Sequence, residues 1–142
     1  GKFTFHKEER LSKKKLIEEL FEKGSSFYVF PFKVFFMPNP DQTTAFHQVV
    51  VSVSKRNFKR AADRNLIKRR IREGYRLNKA MLPAQNKFLI AYIYSVKEIL
   101  PSAQIHDRLV KTFKRFDYAE KIKWTVIAGA LVFVVLAFQK PV

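Results

Sequence analysis

Residues 55–79 hold eleven Lys or Arg against only Asp63 and Glu73, which is +9 of a chain whose formal net charge is +16. From Ala61 onward the stretch lacks Pro and carries Leu66, Ile67 and Ile71 among good helix formers, so it predicts a helix over about 61–79 that Gly74 weakens without ending. At helical spacing Ile67, Ile71 and Tyr75 share one face, with Met81 and Leu82 near its extension. Asn65, Lys68, Arg69, Arg72 and Arg76 cover the opposite arc, with Arg64 at the boundary. The ridge Arg64, Lys68, Arg72, Arg76 puts like charges four residues apart, where they repel. A polyanion relieves that repulsion, whereas a merely solvated face mixes the two signs.

Other chemistry is sparse. His6, His47 and His106 are scattered and fit no metal-ligand spacing, and four glycines leave no phosphate loop or nucleophile elbow. Glu8 with Glu9, and Glu18 with Glu19, are adjacent carboxylates. On a helix such neighbours point about 100° apart, and they compensate Lys13, Lys14 and Lys15 more simply than they do acid–base work. The absence of Cys removes disulfides, thiolate nucleophiles and zinc–thiolate clusters and fits a reducing compartment. Any activity attached to the chain is therefore expected to be performed by another molecule.

The elements that must position the basic helix follow from pattern. Ser12 is an N-cap for a first helix running to about Lys23, with Leu16, Ile17, Leu20 and Phe21 on its stripe and Gly24 as its stop. Residues 27–37 are aromatic and β-branched and predict one strand, edge or bulged at Pro31. A turn cluster at 38–44 leads to a strictly alternating strand over 45–54, and the two strands are expected to pair as a hairpin. After the basic helix, residues 88–94 form an apolar run suited to a strand covered on both faces. Ser95 with Glu98 matches a capping box before a short turn that Pro101 ends. Ser102 caps a last helix to about Phe116, with Ile105, Leu109, Val110, Phe113 and Phe116 inward. The order is α, β, β, α, β, α.

These 142 residues are 47% hydrophobic and 15% aromatic, enough for a buried core and too apolar for a disordered basic tail. The pI near 10.3 calls for a polyanionic partner: RNA, DNA or an anionic membrane surface. Ile17 and Phe21 on the first helix, with Lys33 and Phe35 on one face of the first strand and Lys55 at the end of the second, outline a groove of stacking surfaces and cations as single-strand sites have. The same pattern suits plain core for Ile17 and Phe21. The N-terminal residues carry no apolar run of the secretory type, so a cytoplasmic protein is expected. Residues 119–142 change character, because 124–138 is an uncharged apolar run flanked by Lys121, Lys123 and Lys140. As a helix that run spans about 22 Å, short of the roughly 30 Å hydrocarbon core. It suits a membrane anchor in a thinned bilayer, a buried C-terminal helix or an interfacial one. Its apolar character on every side, after a domain of 1–118 that is already complete, counts against burial.

The run VSVSKRNFKRAADRNLIKRRIRE resembles the protein subunit of bacterial ribonuclease P. Ser52, Val53, Ser54 and Lys55 match that family's strand end, and Arg64, Asn65, Lys68, Arg69 and Arg72 match its basic helix motif, with Leu66 where the family has Arg. The upstream Arg10–Leu11 pair, the first helix and the strand order agree as well, over about residues 10–116. The resemblance implies an α+β two-layer sandwich like a domain of ribosomal protein S5, with a left-handed βαβ crossover carrying the basic helix. Composition and pattern alone would favour the right-handed form. It also implies that Arg64, Asn65, Lys68, Arg69, Arg72 and Arg76 meet the catalytic RNA subunit. By the same resemblance Ile17, Phe21, Lys33, Phe35, Ser52 and Lys55 line a cleft for the 5′ leader of precursor tRNA, and phosphodiester hydrolysis falls to Mg²⁺ held by the RNA. Ile17 and Lys33 stand where the family more often has Phe and an aliphatic residue. The apolar tail has no counterpart in the resemblance.

Overall fold

The computed structural model describes residues 5–127, with side chains described as far as Phe116. The elements run α1 (Lys14–Lys23), β1 (Ser25–Val29), β2 (Phe32–Pro38), β3 (Gln48–Val53), α2 (Ala61–Asn78), β4 (Phe88–Tyr94) and α3 (Ser102–Ile127), with single 3-10 turns at Lys7–Glu9 and Lys79–Met81.

The four strands form one sheet in the order β1-β2-β4-β3. β1 with β2 and β2 with β4 are antiparallel, and β3 with β4 is parallel. β4, apolar throughout, takes a central place where both faces are covered. This corrects two sequence expectations. Residues 27–37 are not one strand, because the chain reverses at Phe30–Pro31, a cis peptide, and makes β1 and β2 a hairpin. The strand over 45–54 does not pair with that hairpin: β3 lies on the far side of β4, joined to it through α2 as a βαβ crossover.

Alternation then sends two sets of side chains to opposite faces. Phe32 and Val34 of β2, Ile90, Tyr92 and Tyr94 of β4, and Val49 and Val53 of β3 pack with Ile67, Ile71 and Tyr75 of α2 and with Ile105, Leu109, Phe113 and Phe116 of α3. This is the main core, in which each large side chain fully withdrawn from water contributes about 1.5–3 kcal/mol. Val110 is half-buried at its edge. On the other face Leu11, Leu20, Leu89 and Ala91 form a smaller cluster flanked by Leu16, Ile17, Phe35, Met37 and Val50. α1 thus adds a partial third layer, so the two-layer expectation holds only for the sheet with α2 and α3. The reason is the apolar stripe of α1, which must be covered by something and finds only the second sheet face.

Ser12 does not cap α1. The helix begins after Lys13, which makes no side-chain cap, and Lys13 O accepts the Ile17 N–H at 3.1 Å. At its other end Gly24 is required by space rather than by backbone angle, since its φ is an ordinary −70°. A Cβ there would sit 2.4 Å from the carbonyl oxygen of Leu20 and 3.0 Å from that of Phe36. Neither backbone atom can step aside, so Gly24→Ala is expected to destabilise by about 1–3 kcal/mol, the cost of overpacking. Urea unfolding checks this, and an unchanged midpoint would mean that α1 shifts freely on the sheet.

Residues 95–101 hold no helix, so Ser95 and Glu98 form no capping box. Instead the Ser95 N–H and hydroxyl both donate to Pro31 O, at 2.9 and 2.8 Å. Tyr94 donates its hydroxyl hydrogen to Glu98 O at 2.7 Å and accepts the Leu100 N–H at 3.1 Å. α3 runs on past Phe116 to Ile127, so the expected boundary at 118/119 falls inside a helix. The apolar run 124–138 lies mostly outside the described residues. Among those described, no helix is long and apolar enough to cross a membrane.

His47, plain in the sequence, ties β3 to β4. Its Nδ1 accepts the Phe88 N–H at 2.9 Å, so the ring hydrogen sits on Nε2 and is donated to Pro83 O at 2.7 Å. Burial, the largest cause, depresses its pKa, because the charged ring is disfavoured there and would lose the Phe88 bond. The contribution of His47 is therefore intact above its unfolded pKa of about 6.5 and is lost progressively as pH falls toward the lower folded value. His47→Gln can offer the same acceptor and donor without titrating. Its thermal stability is expected to fall less than that of the wild type between pH 7 and pH 5, and parallel falls would exclude His47 as the source.

Candidate nucleic-acid interface

The loop between β3 and α2 is a folded unit. Ser54 Oγ accepts the Asn57 N–H at 3.2 Å and Ser54 O accepts the Phe58 N–H at 3.1 Å. Phe58 is buried, its ring centroid 6.0 Å from that of Tyr94. Arg64 reaches back from α2, and its Nη1 donates to Phe58 O at 2.7 Å and Lys59 O at 2.9 Å. Arg64 is thus a staple that holds the loop while Lys55, Arg56, Lys59 and Arg60 stay exposed on it. These cations stand beside a helix N-terminus, whose own partial charge is positive.

Along α2, Ile67, Ile71 and Tyr75 are buried as the periodicity predicts, and Gly74 is buried beside them. Asn65 and Arg69 are exposed, and Lys68, Arg72 and Arg76 are half-buried. Arg76 pairs with Glu73 through its Nε and Nη2, and this bond raises its pKa. Arg70 turns inward and donates to Leu100 O at 2.8 Å. The residue types are uniform, yet their jobs are not: Arg64 and Arg70 brace the fold and Arg76 is neutralised. Among the described residues no carboxylate lies within ion-pair distance of Lys68, Arg69 or Arg72. Burial, and then the nearby Arg10, depress the pKa of Arg72. Two guanidinium groups held near each other without an acid suit an anion placed between them or across them. Leu66 is half-buried on the same helix.

The sequence did not single out Arg10 by its charge pattern. It becomes part of this surface because the chain before α1 runs beside β3, with Arg10 bridging Val49 in parallel and the Leu11 N–H donating to Val49 O at 2.9 Å. Phe5 completes the approach, edge-on to Tyr75 at 5.7 Å and under the Arg10 guanidinium at 5.6 Å.

The second surface is the sheet face beside α1. Strand register lays Tyr28, Lys33, Ile93 and Ser52 in one row across all four strands, and Ser26, Phe35, Ala91 and Val50 in the next. Phe21 of α1 meets Phe35 edge-on, with ring centroids 4.8 Å apart, and Lys33 Nζ lies 5.7 Å from the Phe35 centroid. Phe21 is 41% exposed, so it is not plain core, while Ile17 packs partly buried against the cluster of Leu11 and Leu20. Ser52 is exposed on this face, and Lys55 is exposed in the turn that follows. The structure thus brings Ile17, Phe21, Lys33, Phe35 and Ser52 together, with Lys55 at the end of the row.

No group of three or more His, Cys, Asp or Glu that could hold a metal ion occurs among the described residues. Both surfaces carry rings, amide and hydroxyl groups and cations, a set that binds anions and bases and does not suit a hard divalent cation.

Comparison with known proteins bears on these surfaces. A family model described as Ribonuclease P matches residues 5–117. The ribonuclease P protein component of Petrotoga mobilis is 36% identical over 117 residues, covering 82% of this chain and 85% of that protein. That of Porphyromonas gingivalis is 40% identical over 80 residues, which are 56% of this chain and 58% of its own length. Among solved structures, the RNase P protein from Thermotoga maritima superposes with a TM-score of 0.64 at 27% identity, covering 75% of this chain and 96% of that one.

Proposed function

This chain belongs to the ribonuclease P protein family, and from that membership we propose that it is the RNA-binding subunit of a ribonuclease P that removes the 5′ leader from precursor tRNA. In this reading α2 docks on the catalytic RNA through Asn65, Lys68, Arg69 and Arg72. The cleft of Ile17, Phe21, Lys33, Phe35, Ser52 and Lys55 receives the leader. The βαβ crossover is then the left-handed one the family shares with a domain of ribosomal protein S5.

One observation carries the proposal. The strand end Ser52 to Lys55 joins the two surfaces, because Ser52 closes the cleft row and Lys55 opens the basic loop into α2. A leader leaving an RNA active site held by α2 therefore passes directly onto the sheet. The protein supplies position and countercharge. Its cations lower the repulsion between two polyanions and release counterions from both. Mg²⁺ belongs to the RNA in this scheme, since the donor set of the interface does not fit it, and no step is assigned to a protein side chain.

The direct test is reconstituted cleavage of precursor tRNA by the RNA subunit with and without this protein. Adding the protein is expected to lower the Mg²⁺ concentration needed for cleavage. Equal cleavage at low Mg²⁺ in both samples would refute the proposal.

A further inference from the structure

β1 is the outer strand of the sheet, and its residues divide sharply. Phe27 is buried in the main core and Val29 packs against it, while Tyr28 points to the opposite face and is 51% exposed. Register places Tyr28 across from Lys33, in the row that ends at Ser52. On one face of an antiparallel pair, directly opposite residues have Cβ atoms about 5 Å apart and diagonal ones about 7–8 Å. Tyr28 is thus a direct neighbour of Lys33 and a diagonal neighbour of Phe35.

The ring is not loose. Ser95 Oγ has one hydrogen and donates it to Pro31 O at 2.8 Å, so the 3.2 Å contact between Tyr28 Oη and Ser95 Oγ is one in which Tyr28 donates. Ser95 is in turn pinned by its own N–H on the same carbonyl. An exposed hydrogen bond of this kind adds little net stability, but it fixes the position of a large aromatic surface that faces solvent. A ring ordered before its ligand arrives loses less freedom on binding.

We infer that Tyr28 is an outer base-stacking platform, taking a leader nucleotide farther from the cleavage site than the one at Phe35. The inference rests on the leader-cleft proposal and extends it across the sheet to the β1 edge. The direction follows from the layout: the row begins at Ser52 beside α2 and ends at Tyr28. Lys33 lies between the two rings, where it can meet the phosphate that links successive bases. Single-stranded RNA is the occupant that fits, because a base has a π-face for each ring and a phosphate for the cation between them.

The test is protein-dependent binding of precursor tRNA to the reconstituted complex, with leaders shortened one nucleotide at a time. With the wild type, affinity is expected to fall in steps. Tyr28→Leu keeps an apolar strand residue but removes the π-face. It is expected to lose about tenfold in affinity, the size of one base on one ring, only for leaders long enough to reach the sheet edge. Tyr28→Phe keeps the π-face but loses the bond to Ser95 that orders the ring, so it should retain the step at reduced size. Phe35→Leu should erase an inner step instead. A Tyr28→Leu variant that loses nothing, or loses equally at every leader length including none, overturns the inference. If leader length has no effect even with the wild-type protein, the cleft proposal itself has failed, and the two failures are thereby told apart. Only variants whose thermal unfolding matches that of the wild type enter the comparison, so a uniform loss counts against the inference and does not report a folding defect.

Discussion

Replacing Lys79 by Met is expected to lower the free energy of unfolding by about 3–5 kcal/mol, the cost of leaving a buried charge without its partner. The partner is Glu9, which is 1% exposed. Both its carboxylate oxygens are held by Lys79 Nζ, at 3.0 and 2.9 Å, and one of them also accepts the His6 N–H at 2.6 Å. Around the pair, Lys79 Nζ lies 5.6 Å from the Phe46 ring centroid, and Phe46 stacks on His6 at 4.7 Å. The Glu9 carboxylate therefore has no solvent to turn to once the ammonium is gone. Adding Glu9→Gln to Lys79→Met should restore much of the loss, because a neutral amide needs no counter-ion, and the double-mutant cycle isolates the pair. Urea unfolding at constant slope reads the change. A loss below about 1 kcal/mol would instead place the pair with exposed surface bridges. There is a functional corollary. The pair clamps the segment that carries Arg10 to the C-terminal end of α2, so Lys79→Met should also weaken RNA binding without removing a charge from the Lys68–Arg72 face.

The helices and the helix faces were legible because they rest on local periodicity. Ile67, Ile71 and Tyr75 fall inside for the same geometric reason that Asn65 and Arg69 fall outside, and no distant contact is needed to see it. Strand pairing was less legible, because alternation reports which side a residue faces and is silent about its neighbour. Residues 27–37 lack Gly, Asn and Asp, so the reversal at Phe30–Pro31 left no ordinary hairpin signal. One clue did exist. A strand apolar on both faces, residues 88–94, must be central, and a helix between it and β3 favours parallel pairing. The candidate cleft was visible as residue types, but its assembly depends on the true register, which alone sets Tyr28, Lys33 and Ser52 in a row. The jobs of individual arginines were invisible, since Arg64, Arg70 and Arg72 look alike until the carbonyls of Phe58, Lys59 and Leu100 are in place.

That division of labour among cations leads to the second large effect. The triple variant Lys68→Ala, Arg69→Ala, Arg72→Ala is expected to reduce the slope of log affinity against log salt for the RNA subunit by about 2–3, one phosphate contact per residue at roughly 0.7–0.9 each. Between 1 M and 0.15 M salt such a slope change amounts to about a hundredfold in affinity, with little difference left at the higher salt. Arg76→Ala should move the slope much less, because the wild-type residue already spends its charge on Glu73, and removing it frees a carboxylate that repels RNA without salt-releasing contact being lost. Arg70→Ala should leave the slope alone and cost stability instead, since its guanidinium serves Leu100 O. Filter binding or fluorescence anisotropy across a salt series gives all three slopes. If the triple variant and Arg76→Ala change the slope equally, the RNA does not distinguish the uncompensated arc from the compensated one, and α2 acts as a diffuse positive surface rather than as a docking face.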